Sequence, residues 1–93
     1  MIDAFGSYWP RNKTIHTRNY SEKEKNNLLA YMKAGFPYIA GGYVFDCIKR
    51  RETREEDVGY DDGTFSWGSD DIYYIEHYNA AVTDDFLNHV NAS

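Results

Sequence analysis

Residues 60–79, YDDGTFSWGSDDIYYIEHYN, combine aromatic, isoleucine and carboxylate side chains without any Lys or Arg, and they decide most of the expected fold. The Asp-Asp-Gly sequence at positions 61–63 predicts a tight turn, because glycine readily adopts the positive φ that such turns need. Aromatic and β-branched residues on either side predict a hairpin over residues 58–67. Phe65 and Trp67 share one face of its second strand, and we expect Trp67 to be buried.

A helix is predicted directly after this hairpin, ending at about Tyr78. Ser69 is its expected N-cap, and Asp70 and Asp71 fall in its first turn, where the helix dipole favours negative charge. A rotation of 100° per residue places four side chains on one inward arc: Ile72, Tyr74, Ile75 and Tyr78. Tyr73 falls outside the arc and is expected to point outward. Asp71 falls inside it, so it is either a dipole partner or a buried carboxylate with a raised pKa.

Two further helices are indicated by their capping residues. Ser21 and Glu24 form a capping box ahead of apolar residues at one-face spacing, and Gly35 is placed to end the helix, which predicts a helix over residues 22–34. Thr83 is the expected N-cap of a last short helix with an apolar stripe of Phe86, Leu87 and Val90.

The middle of the chain is predicted to contain one further strand. Residues 43–48 are rich in aromatic and β-branched side chains, and Gly41-Gly42 suggests a turn or bulge before them. Apolar residues alternate onto both faces of this strand, with Tyr43, Phe45 and Cys47 on one of them, so we expect at least partial cover on both sides. Residues 49–57, KRRETREED, predict an exposed loop, with a helical turn as the alternative.

These elements predict one small α+β domain over residues 1–93, with a first segment, 1–18, that has no clear periodicity. An N-terminal helix, a two- to three-stranded antiparallel sheet and two short C-terminal helices complete the expected fold. The chain has 93 residues, of which 42% are hydrophobic, and this is enough for one small core.

Composition excludes several classes of site. Cys47 is the only cysteine, so no internal disulfide forms, and this favours a reducing compartment, the cytoplasm. No signal-peptide pattern and no apolar run of membrane-spanning length is present. The three histidines lack metal-ligand spacing, and the glycine pair Gly41-Gly42 lacks the spacing of a phosphate loop, so we predict no metal, no cofactor and no catalytic residue.

Charge is unevenly distributed along the chain. Residues 1–51 carry nine Lys or Arg and four Asp or Glu, a net charge of +5, whereas residues 52–93 carry one and eleven, a net charge of −10. An acidic half repels phosphate, which makes nucleic acid an improbable partner, and it attracts a basic protein. Alternatively, the two halves face each other in the fold and neutralise one another.

A partial resemblance concerns the C-terminal third of the chain. Asp62-Gly63, Trp67, Tyr74-Ile75-Glu76 and Phe86 form a "DG…W…YxE…F" pattern that resembles small uncharacterised bacterial proteins, some carried on mobile elements such as integron gene cassettes. This sequence has Thr83 where a proline often begins the last helix. The resemblance implies a cytoplasmic bacterial accessory protein and no particular activity.

We therefore expect a non-enzymatic binding protein that contacts a basic protein partner through its C-terminal third. The expected contact residues are Tyr60, Asp61, Asp62, Asp70 and Tyr73, since tyrosines offer contact area and rim carboxylates steer a basic partner. One alternative is a small-ligand protein or enzyme with a tyrosine-lined pocket made of Asp71, Tyr74 and Tyr78. Another is a homodimer formed through the surplus of aromatic side chains.

Overall fold

The computed structural model describes residues 2–4 and 16–93, and in these it shows three helices and a four-stranded mixed sheet. The elements in chain order are β1 (Ile2–Asp3), α1 (Glu22–Lys33), β2 (Phe36–Asp46), β3 (Arg51–Asp61), β4 (Phe65–Gly68), α2 (Ser69–Tyr78) and α3 (Asp84–Asn91). The strand order is β1-β4-β3-β2, with β1 parallel to β4 and the other pairs antiparallel.

The α+β class predicted from the sequence is confirmed. The prediction of a sheet with only two or three strands, all antiparallel, was wrong, because β1 adds a parallel strand at the edge. Most of the predicted N-terminal segment lies outside the described residues.

The exposed loop predicted over residues 49–57 was wrong. Apart from its first two residues, this segment belongs to β3, which pairs with β2 in a long antiparallel hairpin whose turn lies at 47–50. Charged residues have low strand propensity, but pairing along eleven residues of β2 overrides that local preference. The bulge expected at Gly41-Gly42 is present: the register shifts between Ala40 and Tyr43, and Gly42 has a φ of 73°.

Among the described residues, only one face of the β2 end is covered, contrary to expectation. Val44 and Asp46 are buried, whereas Tyr43 and Phe45 are more than half exposed. The helices lie against the first face alone, and α2 contacts β2 and β3 there. The alternation of apolar side chains along the strand predicted two apolar faces. It could not show that a single layer of helices covers one of these faces.

The core lies between the helices and the facing side of the sheet. Trp67 is 4% exposed, as predicted, and its indole N–H donates to the Met32 carbonyl of α1 at 3.0 Å. Phe65 packs edge-on against Phe86 of α3, with ring centroids 5.1 Å apart. One contiguous cluster therefore ties α1, β4 and α3 together. In the described part of the chain, none of the helices has the length and apolarity to cross a membrane.

Two of the three predicted helix caps are confirmed. The Ser21 and Thr83 hydroxyls accept from the backbone N–H groups of Glu24 and Phe86. The N-cap of α2, however, is Gly68 rather than Ser69. The Ser69 hydroxyl is engaged with β3 instead, donating to the Glu56 carbonyl and accepting from the Val58 N–H, both at 2.7 Å.

Candidate functional site: an acidic cleft between the sheet and the start of α2

The most distinctive depression is a cleft of about 380 Å³ where the sheet meets the start of α2. Phe65 and Trp67 of β4 point toward the helices, so Ser66 and Gly68, which alternate with them, face the other way. The described residues that line the cleft are Asp3, Tyr38, Ile39, Ala40, Gly41, Asp57, Val58, Gly59, Ser66, Trp67, Gly68, Asp70 and Asp71. It therefore draws on all four strands and α2, and the sheet topology alone brings these segments together.

Two paired glycines contribute to the lining of this cleft. Gly59 of β3 pairs with Gly68 of β4. A Cβ on Gly59 would lie 2.8 Å from the Ile39 Cγ2 atom and 3.1 Å from the Tyr38 ring, while one on Gly68 would collide with the Asp70 carboxylate. The missing side chains allow Tyr38 and Asp70 to approach the sheet backbone closely.

Among the described residues, the charged groups that line the cleft are all carboxylates. Asp3, Asp57, Asp70 and Asp71 contribute to it from β1, β3 and α2, and the part of the lining that the structure describes contains no Lys, Arg or His. No group of three or more His, Cys, Asp or Glu among the described residues is arranged to hold a metal ion. The cleft therefore offers dispersed negative charge around a space much larger than one ion, an arrangement that suits an organic cation.

Asp71 is the unusual member of this group. It is 3% exposed, and one of its oxygens, Oδ2, accepts the Gly68 N–H at 2.8 Å. The other oxygen, Oδ1, is buried without a hydrogen-bond partner. Burial, and then the neighbouring Asp70 charge, raise the pKa of Asp71 well above its ordinary value. An orphaned buried carboxylate oxygen is rare in native proteins, and such an atom calls for a donor from a water, an ion or a ligand.

Asp70 is the second carboxylate of the cleft with a raised pKa. Burial raises its pKa to about 6, and the charge of Asp57 adds to that rise, whereas the Asp71 N–H, which donates to its Oδ1 at 2.9 Å, opposes it. A positive group placed among these carboxylates would lower both raised pKa values, because it favours the ionised forms. The raised pKa values of these two carboxylates therefore favour the binding of a cation in the cleft.

A second buried carboxylate, Asp46, has the opposite environment. It is fully buried, and its Oδ1 accepts the N–H groups of Ile48 and Lys49 at 2.9 and 2.8 Å. Its Oδ2 accepts the hydroxyls of Tyr73 and Tyr78 at 2.5 and 2.7 Å. Burial alone would raise the pKa, but these four hydrogen bonds outweigh it and lower the pKa to about 2. Sequence analysis missed this role, although an Asp between apolar strand residues was its signal.

The tyrosines of α2 serve this Asp46 cluster and the adjacent backbone. Tyr73 was predicted to point outward, and this was wrong: it is 5% exposed, because the long β2–β3 hairpin covers the side of α2 that the helical pattern left free. Tyr74 donates to the Phe45 carbonyl at 2.8 Å and accepts the Cys47 N–H at 2.9 Å. Tyr74 and Tyr78 are not among the residues that line the Asp71 cleft, so the predicted tyrosine-lined pocket does not form around Asp71.

The acidic turn of the hairpin is a third, separate cluster. Asp62 accepts the Tyr31 hydroxyl at 2.5 Å and lies 2.7 Å from the Nε2 atom of His89, and these contacts join α1, the turn and α3. Burial opposes ionisation, but hydrogen bonds from Tyr31 and the turn backbone lower the pKa of Asp62 to about 2. Asp61 accepts the Gly63 N–H within the turn, and Tyr60 packs against the core. Of the five predicted contact residues, only Asp70 lies in the cleft.

These environments predict a stability profile whose two limbs have opposite signs. The folded-state pKa values of Asp46 and Asp62, about 2, lie below the ordinary 3.8, so their stabilisation is present above about pH 4 and is lost toward pH 2. The folded-state pKa of Asp70, about 6, lies above 3.8, so its contribution is present below about pH 4 and is lost as the pH rises through 6.

We therefore expect a stability maximum near pH 4. The free energy of unfolding should fall by about 2 kcal/mol between pH 4 and 2.5 and by about 2 kcal/mol or more between pH 4 and 7.5, where the raised pKa of Asp71 adds to the effect of Asp70. Urea denaturation at the three pH values measures this. Asp70→Asn should reduce the fall above pH 4, and a stability that continues to rise to pH 7.5 would contradict the assignment of Asp70.

Comparison with models of known protein families, with curated proteins and with solved structures finds no match. The function must therefore be inferred from the geometry of the cleft itself.

Proposed function

We propose that this protein binds a basic partner and that the acidic cleft receives a cationic side chain of that partner. The observation that carries the proposal is the buried Oδ1 of Asp71, which has no hydrogen-bond partner although it belongs to a cleft lined by three further carboxylates. A donor supplied by a ligand would satisfy this oxygen and relieve the repulsion between Asp70 and Asp71.

A guanidinium group suits the cleft best. It is planar and weakly hydrated, it presents five N–H donors, and so it can engage two carboxylates at once, whereas an ammonium group is a compact and strongly hydrated charge. Tyr38 lies at the cleft with more than half of its surface exposed, and its ring could stack on a guanidinium plane. We therefore propose an arginine side chain of a protein or peptide as the ligand.

Binding is testable with a short flexible peptide that contains one arginine between glycine and serine residues, and with the same peptide carrying citrulline. Citrulline keeps the shape but lacks the charge. Titration followed by amide NMR shifts should show saturable changes at Gly59 and Gly68 with the arginine peptide only. Asp70→Asn should weaken binding at least about tenfold, since it removes a partly desolvated partner of the cation.

Asp85→Asn provides the matched control for this titration. Asp85 also lies in the first turn of a helix, but it is exposed and is not part of the cleft lining. Its substitution should leave the affinity unchanged. Equal shifts with the citrulline peptide, or equal losses of affinity in the Asp70 and Asp85 variants, would count against the proposal.

A small organic cation is the second candidate ligand, favoured by the same orphaned oxygen of Asp71. Agmatine, which has a guanidinium group but no peptide backbone, distinguishes the two in the same titration. Tighter binding of agmatine than of the peptide would favour a small-molecule role. The wider setting that we propose, a cytoplasmic accessory protein of bacterial mobile elements, continues to rest on the sequence pattern.

A further inference from the structure

The second surface of interest is the edge strand β2. It is the last strand in the order β1-β4-β3-β2, so its outer edge carries no strand among the described residues. Five of its large apolar side chains are more than half exposed: Phe36, Tyr38, Ile39, Tyr43 and Phe45. Long apolar edges of this kind promote association unless charges or proline interrupt them.

The charges around this strand indicate what it associates with. Residues 36–45 hold no charged side chain at all, so a basic or acidic partner gains nothing along the strand. Its two ends have net charges of opposite sign: at one end Arg51 and the adjacent turn cations outweigh Glu52 and Asp46, and at the other end Asp61 pairs with Phe36. The turn cations are Lys49 and Arg50.

We propose that β2 is the interface of a homodimer, in which two copies of the strand lie antiparallel around a two-fold axis near its middle. In this arrangement the positive end of each copy lies beside Asp61 of the other copy. The two-fold axis therefore generates two equivalent attractive contacts. A parallel arrangement would bring like charges together at both ends. The strand is thus complementary to itself in one direction only.

The size of the surface sets the expected strength. The five exposed side chains offer on the order of 500 Å² per protomer, so the dimer buries about 1,000 Å², the lower end for a specific interface. Pro37 has no N–H group, and the register shifts in β2 interrupt its edge. Side-chain packing rather than a continuous hydrogen-bond ladder therefore carries the association, and we expect a dissociation constant in the micromolar range.

Sedimentation equilibrium from about 5 µM to 1 mM protein tests the dimer. The full chain should pass from monomer to dimer, and Tyr43→Lys should remain a monomer, since in this arrangement each lysine would be placed against the apolar Ile39 of the other copy. Tyr43 pairs with Glu56 and is not part of the cleft, so this substitution leaves the protomer and the cleft intact. Asn27→Lys, an exposed position on α1, is the control that adds the same charge and should still dimerise.

A charge exchange tests the antiparallel direction. Arg51→Asp alone should weaken the dimer about tenfold, and combining it with Asp61→Arg should restore most of the loss, because each pair joins the two copies. A wild-type chain that stays monomeric at 1 mM, or a Tyr43→Lys variant that dimerises normally, would overturn the proposal. Tyr38 and Ile39 belong to both surfaces, so the arginine-peptide titration is repeated on the Tyr43→Lys variant, where the cleft can be tested without the dimer and either proposal can fail without the other.

Discussion

Asp46→Ala should lower the free energy of unfolding by about 4 kcal/mol. The substitution removes the one acceptor of four hydrogen bonds and leaves the hydroxyl of the buried Tyr73 without a partner. The loss is a large part of the 5 to 10 kcal/mol expected for a domain of this size. Urea denaturation at pH 5 measures it.

Two further variants test the role of Asp46 if the alanine variant fails to fold. Asp46→Asn preserves the shape and one acceptor oxygen but loses the charge, so it should fold with a loss of about 2 kcal/mol. Asp85→Ala removes an exposed first-turn carboxylate and should change stability by less than about 1 kcal/mol. If the Asp46 and Asp85 variants lost the same amount, the Asp46 cluster would not stabilise the fold as proposed.

Asp71→Asn should have the opposite effect on stability, a gain of about 1 to 2 kcal/mol at pH 7.5. The amide removes a buried charge whose Oδ1 has no partner, it ends the repulsion with Asp70, and its oxygen can still accept the Gly68 N–H. The same change should weaken binding of the arginine peptide at least about tenfold, because the buried charge is what the ligand neutralises.

The combination of the two effects is the diagnostic result. A residue that lowers stability while it supports binding is retained for function. Its replacement raises the free energy of unfolding and lowers the binding affinity. Urea denaturation and the peptide titration on the same Asp71→Asn sample measure both quantities. A destabilisation of more than about 1 kcal/mol would instead assign Asp71 a structural role as the partner of Gly68, and unchanged peptide affinity would remove it from the binding site.

Local signals in the sequence were sufficient for the helices and the tight turn. The hydroxyls of Ser21 and Thr83 cap their helices as predicted, and Gly63 adopts a φ of 94° in the expected turn. These features depend on groups within a few residues of one another, so the pattern contains all the necessary information. The burial of Trp67 could also be predicted, because it shares a strand face with Phe65.

Features that depend on distant partners could not be predicted in the same way. The charged segment 49–57 forms most of a strand only because β2 pairs with it, and Tyr73 is buried only because that hairpin extends over α2. The candidate cleft has the same origin, since its carboxylates come from β1, β3 and α2. Their positions in the sequence are far apart, and only the sheet order brings them together.

The sequence by itself determined the α+β class, two of the three helix caps, the turn at Gly63 and the acidic character of the C-terminal half. Only the tertiary structure decided the roles of the two buried aspartates. Asp46 and Asp71 are the same residue type and both are buried, yet four donors converge on Asp46 while one oxygen of Asp71 receives none. Burial of an ionised carboxylate costs free energy. Whether the carboxylate stabilises or destabilises the protein depends on the donors that the fold brings within hydrogen-bond distance.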